Sequence, residues 1–263
     1  MEVRLFSNSR RPGVGLTPRR ESQRPLLPQH ARHCPVLEAG SDVGFLVYPP
    51  LAENEAFQVE FEGEGRYRFI FFMGTLGTQW QPLFSAIFDL PVGSVGKIKE
   101  RVEFMAPDTP ISPEGALKMT RIFIVPEDLG TPTGAVTLRG ATNFWTPPGW
   151  DTVYTSIFNN IERPVAPMLV VRVETDWFAH ETEFRYVLQP GEGIPGSHNL
   201  PIGQAFFVPR EETTLRACTD AELKELRRSK AAFFREKAQV TLTTPYGYQY
   251  SPHYARESRT RKP

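Results

Sequence analysis

The run Trp145-Thr146-Pro147-Pro148-Gly149-Trp150 leads directly into Thr152-Val153-Tyr154-Thr155-Ser156-Ile157, and this passage sets the reading of the chain. Proline presets φ and glycine supplies a positive φ, so the first run is a turn. The second is rich in β-branched and aromatic residues, so it is a strand. The same alternation of turn and strand extends through the stretch from Arg139 to Glu211 and beyond it. Ala135–Leu138, Met168–Val173, Glu183–Leu188 and Gln204–Val208 are further strands, at intervals of roughly a dozen residues, the spacing of a β-sandwich or barrel.

Upstream, Gly44–Tyr48 is a short strand stopped by Pro49-Pro50. Phe57–Glu62 alternates apolar and polar residues, as expected of a strand with one wet face. Gly63-Glu64-Gly65 turns it into Tyr67–Met73, which is apolar at nearly every position and predicts a strand buried on both faces. Thr75–Asp89 is ambiguous: Trp80, Leu83, Phe84, Ile87 and Phe88 have helical spacing, but Pro82 interrupts it. Pro91–Pro113 is a loop-rich insertion with short strands, and residues 75–115 are either a lid over a pocket or a plain insertion. Lys118–Val125 is a strand with Ile122-Phe123-Ile124-Val125 at its centre.

Downstream there is one amphipathic helix. Thr219-Asp220-Ala221-Glu222 has capping-box spacing, and Leu223, Leu226, Phe233 and Phe234 form its apolar stripe. It is expected to pack on the outside of the β body. The domain plan is therefore a flexible basic arm (1–33), a β-rich core (34–218), the helix (219–238) and a basic tail (239–263).

Composition agrees with this plan. The chain has 263 residues, enough to bury a core, and its 25 prolines and 20 glycines favour short elements over long helices. Net charge is zero but unevenly placed. Residues 1–33 carry seven Arg against two Glu, residues 222–263 carry ten Lys/Arg against four Glu, and the middle is left at −11. Basic ends on an acidic body fold back on it, meet an acidic partner, or are simply solvated. The acidic body argues against nucleic acid, and no reader motif is present. Two cysteines, Cys34 and Cys218, make no disulfide framework. No run approaches ~18 apolar residues and no signal-peptide core opens the chain, so a cytoplasmic, non-membrane protein is expected.

The motifs also carry a resemblance. Phe144–Trp150, Glu174-Thr175-Asp176-Trp177, and Pro201-Ile202-Gly203-Gln204 through Pro209 together resemble a family of uncharacterised bacterial and phage proteins of similar length. Cys34-Pro35, Gly44-Phe45 and Pro49 are similar to the start of those proteins, while residues 75–135 match poorly. The resemblance implies a β-rich, cupin-like or jelly-roll fold, and it implies no reaction.

Two function classes follow from the residues themselves. In the first, Trp145, Trp150, Tyr154 and Trp177 line a site for a small molecule or a protein partner, near Asn143, Asn159, Asn160, Arg172 and Asp176. The plainer reading of these aromatics is core and turn packing. Such a module also suits a homo-oligomeric assembly. In the second, His180, Glu183 and His198 hold iron or another divalent transition metal as two imidazoles and a carboxylate, with Asp176 or Arg172 orienting a substrate. That would make a cupin-like oxygenase or lyase acting on a small metabolite. Gly191–Asn199 loosely resembles the second cupin motif, but the chain has no His-x-His. Cys34 beside His33 and His30 is a weak third candidate, because neighbours in sequence rarely form a catalytic dyad. Nucleophile elbows and phosphate-binding loops are missing.

Overall fold

The computed structural model describes residues 1–21, 34–74, 80–91, 97–106, 109–160, 168–243, 247 and 249–260. The chain divides into two compact units: residues 1–32 with 37–210, and residues 33–36 with 211–263. The first is mainly β and built from antiparallel sheets, as the strand spacing predicts. Its first elements are β1 (Arg4–Ser7), helix α1 (Pro35–Ser41, shared with the second unit) and β2 (Phe45–Val47).

The largest sheet runs through β3 (Glu55–Gly63), β4 (Arg66–Met73), β5 (Gln81–Asp89) and β6 (Lys99–Phe104) as a meander. Alternation on β3 aims Phe57, Val59 and Phe61 inward, opposite Phe71, Phe69 and Tyr67 of β4. The turn between them takes Glu64 to a φ of 50°, flanked by two glycines. β5 settles the ambiguous stretch as strand, not helix. β5 is buried at five successive positions, Phe84 to Phe88, so both of its faces are covered, and a strand apolar on both faces contains helical spacing by default. Pro82 is accommodated at a register shift in the β4–β5 ladder, where the missing N–H costs little. Residues 81–89 and 99–104 are thus part of the sheet, not a lid. Residues 75–79, 92–96 and 107–108 of that stretch lie outside the described residues.

The expected strand at 118–125 is a helix, α2 (Pro113–Phe123). Ser112 caps it by accepting from Gly115 N at 3.1 Å, and Pro113 sits in the first turn, where no N–H is needed. Ala116, Thr120 and Phe123 recur at helical spacing and are buried. The β-branched end, Ile122 to Val125, reads locally as a strand, but packing overrides propensity. Phe123 packs tilted against Phe57 and stacks with Phe69 and Phe71, ring centroids 5.5, 5.8 and 5.8 Å apart.

The remaining strands are β7 (Ala135–Arg139), β8 (Thr142–Trp145), β9 (Trp150–Thr155), β10 (Met168–Leu169), β11 (Val171–Val173), β12 (Glu183–Val187), β13 (Gly193–Ser197) and β14 (Gly203–Pro209). They form sheets in the orders β11-β9-β14-β2 and β10-β12-β7, and β13 joins β3 at the edge of the meander sheet. The segment 168–173 is therefore an edge of two sheets.

The flexible arm expected at 1–33 is, over residues 1–21, a strap fastened to the first unit. β1 pairs with β8, from Arg4 opposite Trp145 to Ser7 opposite Thr142. Asn8 is fully buried, donates to Gly140 O at 2.9 Å and accepts from Arg10 N at 2.8 Å. Arg11 forks onto Glu55 at 2.5 and 2.7 Å. Arg19 bridges to Leu46 on the open edge of β2, and the guanidiniums of Arg19 and Arg20 lie over Tyr48 and Phe45. Residues 22–33 lie outside the described residues.

In the second unit, α3 (Asp220–Gln239) has the expected capping box: the Thr219 side chain accepts from Glu222 N, and Glu222 reaches back to Thr219 N. The expected tail carries a further helix, α4 (His253–Thr260), with the His253 ring 4.9 Å from that of Phe233. Among the described residues no helix is long and apolar enough to cross a membrane.

Candidate functional site

The aromatic turn is built from the backbone outward. Gly149 has a φ of 78° and open space where a Cβ would stand. Its N–H donates to Asp176 Oδ2 at 2.8 Å, which ties the turn to the one at Glu174–Trp177. Arg210, just past β14, donates to Asp151 Oδ1 through Nε at 2.9 Å and Nη2 at 2.6 Å, and to Asp176 Oδ1 at 2.6 Å. Arg172 on β11 donates to Asp151 Oδ2 at 2.7 Å. Beneath this clamp lies a buried hydroxyl chain. Thr146 Oγ1 donates to Trp150 O at 2.6 Å, so Thr175 Oγ1, at 2.9 Å, must donate to Thr146. Thr152 must in turn donate to Thr175, at 2.7 Å.

The electrostatics follow the same geometry. Burial opposes ionisation of Asp151, but hydrogen bonds from Arg210 and Arg172 outweigh it and hold the carboxyl below its ordinary value. Asp176 is lowered by Arg210 and then by the Gly149 N–H. Arg172 and Asp176, read from the sequence as substrate-orienting groups, are thus in one network. Their polar atoms face Asp151, Arg210 and backbone groups, which makes the network a brace for two turns. Sequence reading missed Asp151 and Arg210.

The four aromatics do not share one wall. Tyr154 is enclosed in the core by Phe144 and Phe184, and burial pushes its hydroxyl up to about 12. Trp145 lies beneath the Arg4 guanidinium, 5.7 Å from its ring centroid, and Trp150 opens β9 opposite Pro209. Trp177 is 64% exposed, with its indole N–H donated to Glu174 at 2.5 Å. Phe178 beside it is also exposed, as are Leu169 and Val170 on the double edge. Asn143 and Asn159 are structural: Asn143 accepts from Thr182 N at 2.7 Å, and Asn159 donates to Leu37 O at 3.1 Å.

The expected metal set does not assemble. His180 Nε2 is 3.9 Å from Glu183 Oε2. His198, just past β13, instead donates Nδ1–H to Leu51 O at 2.7 Å. Among the described residues no three His, Cys, Asp or Glu side chains are grouped to hold a metal ion. The physical reason is pairing: β13 belongs to the meander sheet, while Glu183 lies on β12 beside β7. Cys34 is half-buried, and its proposed partners His30 and His33 lie outside the described residues.

What surrounds His180 and Glu183 is a polar cluster under the strap and α2. Glu183 stands opposite Arg139 in the β12–β7 register, with Arg139 Nε 3.5 Å from Glu183 Oε1. The Arg139 side chain is only 8% exposed and donates from Nη1 to Arg121 O at 3.4 Å, at the C-terminal end of α2. Glu181 is bonded by Ser9 of the strap. Next to them, Asp128 takes the Arg185 guanidinium and Thr137. Burial lowers Arg139 and His180 and raises Glu183, which places three perturbed groups together. Arg139 gave one sequence signal: it closes an otherwise uncharged strand, Ala135-Val136-Thr137-Leu138.

Comparison of the chain with protein-family models, with curated proteins and with solved structures gives no match.

Proposed function

We propose that this chain is a non-catalytic binding module whose partner is a protein, met through the Trp177-Phe178 turn and the adjoining edge at 168–173. One observation carries this reading: the Asp151–Arg210–Asp176 brace fixes the turn that exposes Trp177. A rigid, exposed tryptophan costs little conformational entropy on binding, and tryptophan is enriched at the centres of protein interfaces. Exposed apolar residues grouped along one segment mark interaction surfaces. The open backbone of an edge strand adds a second attachment, by strand addition. The aromatics stand proud or are buried singly, which suits a protein surface better than an enclosed small molecule.

A photo-crosslinking amino acid at position 177, compared with the same residue at exposed Met73, tests this in cells that make the protein. A discrete adduct from position 177 alone supports the module, and its mass tells a second copy from a different partner. No adduct, or the same adducts from both positions, refutes it.

A further inference from the structure

The second unit carries a surface of its own. α3 runs for 20 residues, and none of them is buried. Most helical stability in proteins comes from packing an apolar face. Here α4 covers one flank of that face, where the Phe233 ring meets His253 at 4.9 Å. Leu223, Leu226 and Phe234 stay 39%, 56% and 51% exposed. Leu223, Leu226, Lys230, Phe233 and Lys237 follow one another at alternating intervals of three and four, so they share one stripe, with the two lysines along its middle. The charges of α3 are unevenly matched. Three of its carboxylates face basic groups: Glu222 takes Arg216 at 2.8 and 2.5 Å, Glu225 faces Arg228 at 3.8 Å, and Glu236 faces His253 at 3.4 Å. Among the described residues no carboxylate pairs with Lys224, Arg227, Lys230, Arg235 or Lys237. The stripe is therefore both apolar and cationic.

We infer that α3 is the docking face for an acidic amphipathic helix of another protein. That helix sets apolar residues against Leu223, Leu226 and Phe234, and two carboxylates against Lys230 and Lys237. The lysines are seven residues apart, about 10 Å along the axis, so a partner helix matches them with carboxylates at the same spacing. They also decide among occupants. On an anionic bilayer the middle of the stripe goes deepest and carries both ammonium groups toward the acyl chains, where charge is costly. Parallel pairing with a second copy sets each lysine against its own counterpart, a like-charge contact. Carboxylates at those positions replace both penalties with ion pairs inside an apolar seam, the arrangement that fixes partner and register between helices. The stripe lies in the second unit and the Trp177-Phe178 turn in the first, so this inference and the proposed function stand or fall separately.

A display library of amphipathic helices, each about four heptads long, tests this on the intact chain. Every member has a leucine seam except at two positions seven residues apart, which are drawn from Glu, Gln and Lys and moved through every place in the seam. Glu members are expected to be enriched at least tenfold over Gln and Lys members. Lys230→Glu with Lys237→Glu should reverse the preference toward Lys members. It should also leave the helical circular dichroism unchanged, because α3 buries neither side chain. The reversal separates pairing at these two positions from a general attraction between a basic helix and acidic ones. No enriched member, equal enrichment of Glu and Gln members, or a Glu preference that survives in the reversed variant overturns the inference. So does either rival occupant: a dimer in sedimentation that Leu226→Glu dissolves, or tighter binding to phosphatidylserine–phosphatidylcholine vesicles than to any library helix.

Discussion

Asn8→Ala tests whether the N-terminal segment is a strap or an arm. The substitution removes a donor to Gly140 O and an acceptor for Arg10 N, and leaves the backbone bond from Asn8 N to Ala141 O in place. Asn8 is fully buried, so water does not replace its amide without local opening. A lost neutral hydrogen bond costs about 1 kcal/mol, and an unsatisfied buried carbonyl costs about 1–3 kcal/mol. The expected loss is therefore about 2–4 kcal/mol. Urea unfolding of the wild type and variant measures it, followed by a probe in the first unit. Hydrogen exchange adds a local reading, because the Asn8 amide should be protected in the wild type and exposed sooner in the variant. A surface change in an unstructured arm stays within about 0.5 kcal/mol. A loss that small, with unchanged exchange at residues 8–10, would refute the strap.

Two further outcomes follow from the packing and the caps. Phe123→Ala should cost about 3–5 kcal/mol, the range for a large aromatic removed from a core, and Phe123→Leu clearly less; equal small effects in thermal or urea unfolding would remove α2 from the core. Glu222 is held down to about 2 by Arg216 and then by the Thr219 backbone and hydroxyl. Its folded value is below its ordinary one near 4.5, so its contribution is complete above that value and fades as pH falls toward about 2. NMR titration of the Glu222 carboxyl should show the low midpoint, and Arg216→Ala should move it up; an ordinary midpoint in the wild type refutes the capping box as drawn.

Elements with one dominant local cause were legible in the sequence. β3 alternates because one face is wet, and α3 opens on a capping box whose partners are three residues apart. The errors fall where the deciding contacts are distant in sequence. α2 ends in β-branched residues that locally favour a strand, and only Phe57, Phe69 and Phe71, more than fifty residues earlier, make a buried helix the better solution. β5 contains helical spacing because it is apolar on both faces. The strap was invisible because arginine was read as solvated charge. Arg11 is instead forked onto Glu55, and the guanidiniums of Arg19 and Arg20 lie over aromatic rings.

The candidate sites divide in the same way. Arg172 and Asp176 stood out because they flank a marked aromatic turn. Asp151 and Arg210 complete their network but carry no motif, since Arg210 reaches Asp151 only after β14 pairs with β9. The histidine set failed for the converse reason. His180 and His198 are close in sequence, but β12 and β13 diverge to different sheets, so nearness along the chain does not become nearness in space. Arg139 is the clearest case. It is 44 residues from Glu183, and the β7–β12 register alone sets them opposite each other. Sliding that register by one residue would turn Arg139 toward the core and Leu138 outward. The buried apolar residues that hold the register, Leu138 opposite Phe184 and Val136 opposite Tyr186, are therefore also what set the Arg139 guanidinium against the Glu183 carboxylate.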